Sequence, residues 1–237
     1  MAEVLEISRQ ALHDQVVTRL RTLLIEGRIA PGAKLNEREL CEQLRVSRTP
    51  LREAIKLLAA EGLVDLIPNR GAVAVRLTEA DVLHTFEMLG VLEATSGELA
   101  ARRISKEELA ELRALHYEML ACYERNDLPG YYEFNAKIHN AINAAAHNPV
   151  LASTYHSINA RVQSLRYRTN QDAAKWKHAI QEHEQMMQAL SERDSAGMRA
   201  ILLEHLQRKR DLVLELLHAG KLYPGAPAPH GETRRSA

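Results

Sequence analysis

The sequence predicts a mainly α protein: an N-terminal helical domain with one small β-hairpin, followed by an antiparallel all-α bundle. Three observations predict it. Leu and Ala are abundant while aromatic residues make up 4% of the chain, a composition that favours helix over strand. Apolar residues recur at helical spacing over most of the length. The strand-like stretches are Leu63 to Ile67 and Ala72 to Arg76, either side of the turn Pro68-Asn69-Arg70-Gly71, and no such alternation follows them. With 237 residues there is room for two domains, expected at 1–77 and 78–218, with a tail at 219–237.

The first helix is expected from Ala11 to Glu26, where Leu12, Val16, Leu20 and Leu24 repeat every fourth residue and Gly27 ends it. After the turn dipeptide Pro31-Gly32 a second helix opens at Asn36 and runs to about Leu44. Asn36 and Glu39 are spaced as a capping box, Leu35 and Leu40 as a hydrophobic staple. The third helix organises the domain. Ser47 is its N-cap, Val46 and Leu51 its staple, Pro50 sits in the first turn where a missing N–H costs little, and Gly62 is its stop. Leu51, Ala54, Ile55 and Leu58 share one face, while Arg48, Arg52 and Lys56 fall four apart on another. Cations beside Ser47 and Thr49 at a helix start suit phosphate oxygens and guanine edges, although a merely solvated basic face has the same pattern. Two short helices joined by Arg45-Val46-Ser47 and followed by a hairpin make a winged helix-turn-helix. Its recognition helix enters the major groove, and a hairpin tip with Asn69 and Arg70 reaches the adjacent minor groove.

The chain has 31 basic and 31 acidic side chains, so a nucleic-acid contact has to be a local basic face. Its two cysteines, Cys41 and Cys122, form no CxxC, which fits a reducing compartment and argues against a disulfide framework. The polar N-terminus lacks the apolar stretch of a signal peptide. No apolar run approaches the ~20 residues of a membrane span. The expectation is a cytoplasmic protein with no membrane partner.

The ordered string Glu26-Gly27, Pro31-Gly32, Leu35-Asn36-Glu37-Arg38-Glu39-Leu40, Leu44-Arg45-Val46-Ser47-Arg48-Thr49-Pro50-Leu51-Arg52-Glu53-Ala54, Glu61-Gly62-Leu63-Val64 and Pro68-Asn69-Arg70-Gly71 resembles the DNA-binding domain of GntR-family bacterial transcription regulators. The match covers roughly residues 10 to 77. Carried over position by position, the resemblance implies DNA contacts at Arg38, Ser47, Arg48, Thr49, Arg52, Arg70 and Gly71.

The second part opens at Thr78, an N-cap with Asp81 at the third helical position. Periodicity and breaks predict six helices at about 79–103, 105–126, 128–147, 148–169, 172–192 and 194–218. The segment from Ala219 carries Pro224, Pro227 and Pro229 with no apolar repeat and reads as disordered. Asn135 and His139, four apart, share a helix face, and His183 and His205 lie on the last two helices. Three imidazoles and an amide oxygen on three antiparallel helices can converge on a divalent cation. Spacing alone leaves the ordinary reading open, since most of the 11 histidines should be surface or satisfied core residues.

The segments Asn135-Ala136-Lys137-Ile138-His139, Asn148-Pro149-Val150-Leu151, Glu182-His183, Ala189-Leu190, Arg193-Asp194 and His205 resemble the helical ligand-binding domain of the FadR-type branch of that family, the FCD-like domain. The resemblance implies a divalent transition metal, Zn, Ni or similar, on Asn135, His139, His183 and His205. Asn135 stands where other members have Asp, so the site carries less negative charge. Many members also have an Arg three residues before the Glu matching Glu93, which holds a carboxylate effector; here that position is Gly90, and the carry-over fails there. Arg161 is the alternative cation. Ile158, Arg161, Val162 and Leu165 are expected on one helix face, where Arg161 would be either a structural ion pair or a bidentate anchor for an organic acid.

These readings give a homodimeric regulator of transcription that binds a palindromic double-stranded operator and responds to a small-molecule effector, expected to be a carboxylate. A metal-dependent hydrolase or lyase fused to a DNA-binding module is the competing reading. It lacks HExxH and GxSxG, and Glu182 points about 100° away from its neighbour His183. A non-sensing architectural DNA binder is the third.

Overall fold

The structure, a computed structural model, describes residues 9–169 and 173–223. The chain divides into two compact units, one through Leu77 that also takes in Tyr223, and one from Thr78 to Leu222.

The first unit contains α1 (Arg9–Ile25), α2 (Glu37–Leu44), α3 (Arg48–Ala60), β1 (Val64–Ile67) and β2 (Gly71–Ala74). Val16, Leu20 and Leu24 of α1 pack with Leu40 of α2, Leu51, Ala54, Ile55 and Leu58 of α3, and Val64, Ala72 and Ala74 of the hairpin. Leu12, the first member of the α1 series, is exposed instead. Asn36 caps α2 by accepting from the Arg38 and Glu39 amides, and its own side-chain amide donates to Glu39 Oε1 at 2.6 Å. This replaces the reciprocal bond to the backbone that a capping box would make. Ser47 occupies the N-cap position of α3, but its hydroxyl makes no capping bond, contrary to expectation. Gly62, at φ +77°, ends α3 as expected. Its N–H donates to Ala59 and that of Leu63 to Leu58, the paired bonds of a Schellman stop. The two strands pair antiparallel with Ile67 opposite Gly71, and Lys34 bridges to Val73. Compared with the expected strands, they lose Leu63, Val75 and Arg76 at the ends away from the turn and gain Gly71 at the turn, where Asn69 and Gly71 take positive φ.

The second unit contains α4 (Glu79–Arg103), α5 (Lys106–Glu124), α6 (Leu128–Ala145), α7 (Pro149–Thr169), α8 (Ala173–Glu192) and α9 (Ser195–His218). Thr78 and Ser105 each make a full capping box, and Asp127 and Asp194 cap α6 and α9 through the amides of Gly130 and Gly197. The core packs Ala100 and Ala101 of α4 with Leu112 and Met119 of α5, Ile138 and Ile142 of α6, Met186 and Leu190 of α8, and Met198 and Leu202 of α9. Gly97 lets α4 approach α9 closely, since a Cβ there would collide with Leu202 and Met198. No helix among the described residues is long and apolar enough to cross a membrane.

Order extends past His218. Gly220, at φ +66°, closes α9 in a second Schellman stop, Lys221 donating to Leu216 and Gly220 to Leu217. Tyr223 is buried, its hydroxyl donating to Leu77 O at 3.2 Å with the Arg76 guanidinium 5.0 Å above its ring. The expected disordered tail is therefore corrected at its start. Its Pro-rich remainder, 224–237, lies outside the described residues.

Gly97→Val tests the α4–α9 seam. Overpacking of about this size costs about 2 kcal/mol, so the urea midpoint of the metal-free protein should fall. An unchanged midpoint would show that the two helices part without cost.

Candidate functional site

Asn135 and His139 of α6, His183 of α8 and His205 of α9 are all buried in the second unit. The three imidazoles face one another in a near-equilateral triangle, with ring centroids 5.2 Å apart for His139 and His205, 5.5 Å for His139 and His183, and 5.6 Å for His183 and His205. Asn135 lies one turn before His139 on the same face of α6. Each ring sets its Nδ1 against an oxygen: His205 bonds Glu182 Oε2 at 2.7 Å, His183 bonds Ala179 O at 2.7 Å, and His139 lies 2.8 Å from Glu93 Oε2 in an ion-pair contact. An oxygen partner requires the hydrogen on Nδ1, so each Nε2 carries a lone pair. All three Nε2 atoms are buried with no hydrogen-bond partner. One such atom is a penalty of about 1–3 kcal/mol, and three on adjoining rings are an arrangement that a cation would satisfy. Among the described residues no group of three or more His, Cys, Asp or Glu side chains already stands at metal-holding distances. The donor set and the orphaned atoms fit a metal; the rings would have to draw in around it.

Two of the rings, His183 and His205, are held low, and so are the carboxyls of Glu93 and Glu182. Burial, and then the neighbouring His139 and His205, push His183 well below the ordinary histidine range. Burial also lowers His205, to about 4, although Glu182 acts the other way. Burial alone would raise Glu93, but the charges of His139 and Arg166 more than offset it and hold the carboxyl at about 2. Glu182 is likewise held at about 2, burial being outweighed by His205 and Arg208.

Arg161 requires a correction. It is exposed, and the guanidinium that α7 buries is Arg166, whose Nη1 donates to Glu93 Oε1 and to Asn159 Oδ1, both at 3.0 Å. The buried stripe of α7 runs Tyr155, Asn159, Val162, Arg166, and Arg161 is rotated about 100° off Val162. That i, i+4, i+7, i+11 spacing was the available signal. Glu182 was also missed. The rotation that takes it away from His183 turns it onto His205. Gly90 faces α9, with Leu203 and Leu206 each 3.9 Å from where its Cβ would be.

In the first unit, Arg38, Ser47, Arg48, Thr49, Arg52, Arg70 and Gly71 are all exposed. Arg48, Thr49 and Arg52 project from α3, Arg38 from α2, and Arg70 and Gly71 from the hairpin tip. Arg52 Nε is held by Glu37 Oε2 at 2.9 Å, and Lys56 pairs with Glu53 at 2.9 Å. The unused Ser47 hydroxyl stands free at the start of α3.

Comparison with known proteins gives the same division. Residues 12–73 match the family described as bacterial regulatory proteins, gntR family, and residues 84–208 match the FCD domain. The chain is 31% identical over 193 residues to the Nta operon transcriptional regulator of Aminobacter aminovorans, covering 79% of this chain and 87% of that one. It is 25% identical over 207 residues to the HTH-type transcriptional repressor RspR of Escherichia coli strain K12, covering 87% and 91%. Among solved structures, E. coli McbR/YncC superposes with a TM-score of 0.78 at 24% identity, covering 87% of this chain and 98% of that chain, a likeness of fold.

The site predicts acid sensitivity in the metal-free protein. Unfolded histidine takes up a proton near pH 6.5, but folded His205 does so only near 4, so stability falls with pH across that interval, by up to about 3 kcal/mol. Glu93 and Glu182, depressed to about 2 in the fold, stabilise it above their unfolded value of 4.5 and lose that contribution as pH drops towards 2. Denaturation midpoints should decline steadily as pH drops below 6.5, and His205→Gln should make the limb above pH 4.5 shallower, His183 supplying what remains. A wild-type profile level from pH 7 to 5 would contradict the lowered His183 and His205.

Proposed function

The chain belongs to the gntR family of bacterial regulatory proteins that carry an FCD domain, and we propose that a divalent metal on Asn135, His139, His183 and His205 forms the floor of its effector site. It is a DNA-binding transcriptional regulator with an effector-binding domain, not an enzyme, and nothing in its relatives supports a hydrolase or lyase. The observation that carries the proposal is the triangle of three buried rings whose Nε2 atoms are unpartnered while an oxygen stands at each Nδ1. Three imidazoles and one neutral amide oxygen suit Zn, Ni or a similar ion rather than Mg or Ca. Such an ion supplies positive charge and open coordination positions for an anionic oxygen. Because Asn135 brings no charge and Glu93 and Glu182 are balanced by Arg166 and Arg208, that charge is left for the ligand. The effector is therefore a small carboxylate. Arg161, exposed on α7, has no part in this site.

Residues 1–77 bind the operator and 78–218 bind the effector and form the dimer. Arg38, Ser47, Arg48, Thr49 and Arg52 read or grip the major groove, and Arg70 and Gly71 the adjacent groove. The Glu37 carboxylate takes Arg52 Nε and leaves the two terminal nitrogens to bond guanine O6 and N7. Leu83, Met88 and Val91 form an exposed apolar patch on α4 that suits a second copy of the chain. A two-fold dimer would be matched by a palindromic operator.

Two experiments test these assignments. Arg48→Ala and Arg52→Ala should each weaken specific operator binding by ~1–3 kcal/mol and relax preference at one base pair, as read by titration against base-substituted operators. Unchanged affinity and preference in both would remove α3 from the interface. His139→Ala and His183→Ala should abolish metal retention, measured by elemental analysis, and the effect of the effector on operator affinity, while operator binding itself persists. Wild-type protein that retains no metal after incubation with Zn, Ni or Mn would refute the centre.

A further inference from the structure

Two of the three imidazoles are held by relays of the same composition, guanidinium to carboxylate to ring. Arg166 Nη1 meets Glu93 Oε1 at 3.0 Å, and Glu93 Oε2 meets His139 Nδ1 at 2.8 Å. Arg208 Nε meets Glu182 Oε1 at 2.7 Å, and Glu182 Oε2 meets His205 Nδ1 at 2.7 Å. The relays differ in where they end. The Arg166 side chain is 6% exposed and is pinned again by Asn159. The Arg208 side chain is 41% exposed and lines a cleft of about 410 Å³ between α8 and α9, together with Glu182, His205, Lys209 and Asp211. The third ring, His183, is tied to a backbone carbonyl of its own helix.

Resting on the metal reading above, we propose that Arg208 is the positioning residue that sets the rate of metal exchange, and that the centre opens on the α8–α9 cleft. The Glu182 carboxylate is buried and has two strong partners, Arg208 and the His205 ring. Solvent reaches the first. The half-exposed Arg208 head can trade Glu182 for water, whereas the sealed Arg166–Glu93 pair cannot. With Arg208 swung away, Glu182 keeps the more distant His178, at 3.8 Å, and is drawn towards the cleft. Its hold on the His205 N–H then loosens, and that ring becomes the first to let go. His139 and His183 stay fixed. Arg208 also reaches Glu204 at 2.9 Å, which supplies the alternative seat for the departing guanidinium.

The test is the rate at which Zn-loaded, full-length protein surrenders its metal to a chromogenic chelator. Arg208→Ala should release Zn ~10-fold or more faster, within the range that outer partners of metal ligands command. Arg208→Lys, which restores the charge without the fork, should fall between the two. Arg102→Ala, which removes an exposed arginine paired with Glu98 on α4, should leave the rate unchanged. Arg208→Ala should also lower the melting temperature of the metal-free protein, because the buried Glu182 loses a partner, so Arg208→Lys, which keeps the charge there, separates faster release from general loosening of the fold. Release from Arg208→Ala at the wild-type rate, or equal acceleration by Arg102→Ala, would overturn the proposal while leaving the metal centre standing. Wild-type protein that never takes up Zn would instead overturn the centre on which it rests.

Discussion

Three imidazole nitrogens with no partner, buried at the middle of a helical bundle, are the constraint to which the rest of the second unit answers. A core that leaves one such atom unsatisfied is penalised; here three adjoining rings, His139, His183 and His205, each leave one. They do so only because their other nitrogens are spoken for. Glu93, Glu182 and the Ala179 carbonyl fix each tautomer, and that requirement explains two buried carboxylates, which in turn explain the arginines that neutralise them. The charged residues Glu93, Glu182, Arg166 and Arg208 thus answer to the Nδ1 atoms of His139 and His205.

The same supports lie on helices that lead back to the DNA-binding unit along the chain. Glu93 belongs to α4, which starts directly after Leu77. His205 belongs to α9, whose continuation ends in Tyr223, bonded to Leu77 O. A ligand that changes the position of either relay is therefore covalently close to the segment joining the two units. Linkage requires that an effector which weakens operator binding be weakened by operator to the same extent. In the first unit, the Arg52–Glu37 pair is too exposed to matter for stability. Its consequence is directional, presenting one edge of a guanidinium outward from α3.

Much of this was legible in the chain. Helix limits followed from short-range chemistry. Thr78 and Ser105 announce α4 and α5 by capping, Asp127 and Asp194 announce α6 and α9, and all four are local signals. Asn135 and His139 were readable as a pair for the same reason. What escaped was the partner of each ligand. Glu93 with His139, and Glu182 with His205, are separated by 46 and 23 residues in sequence and meet only through helix packing. Ile158, Val162 and Leu165 alone place Arg161 on the apolar face of α7, whereas the longer run from Tyr155 to Arg166 shows that Arg166 is the buried cation. Ser47 was read as a cap from residue type, but capping depends on a side-chain rotation that sequence does not set.

The measurement that bears most directly on the metal-centred account is X-ray absorption at the metal edge of reconstituted protein, compared with its His205→Gln variant. The account predicts a first shell of nitrogen and oxygen at about 2.0–2.2 Å, with the outer-ring scattering of three imidazoles, reduced to two in the variant. A shell without imidazole scattering, or one unaltered by the loss of His205, would place the ion elsewhere and contradict it.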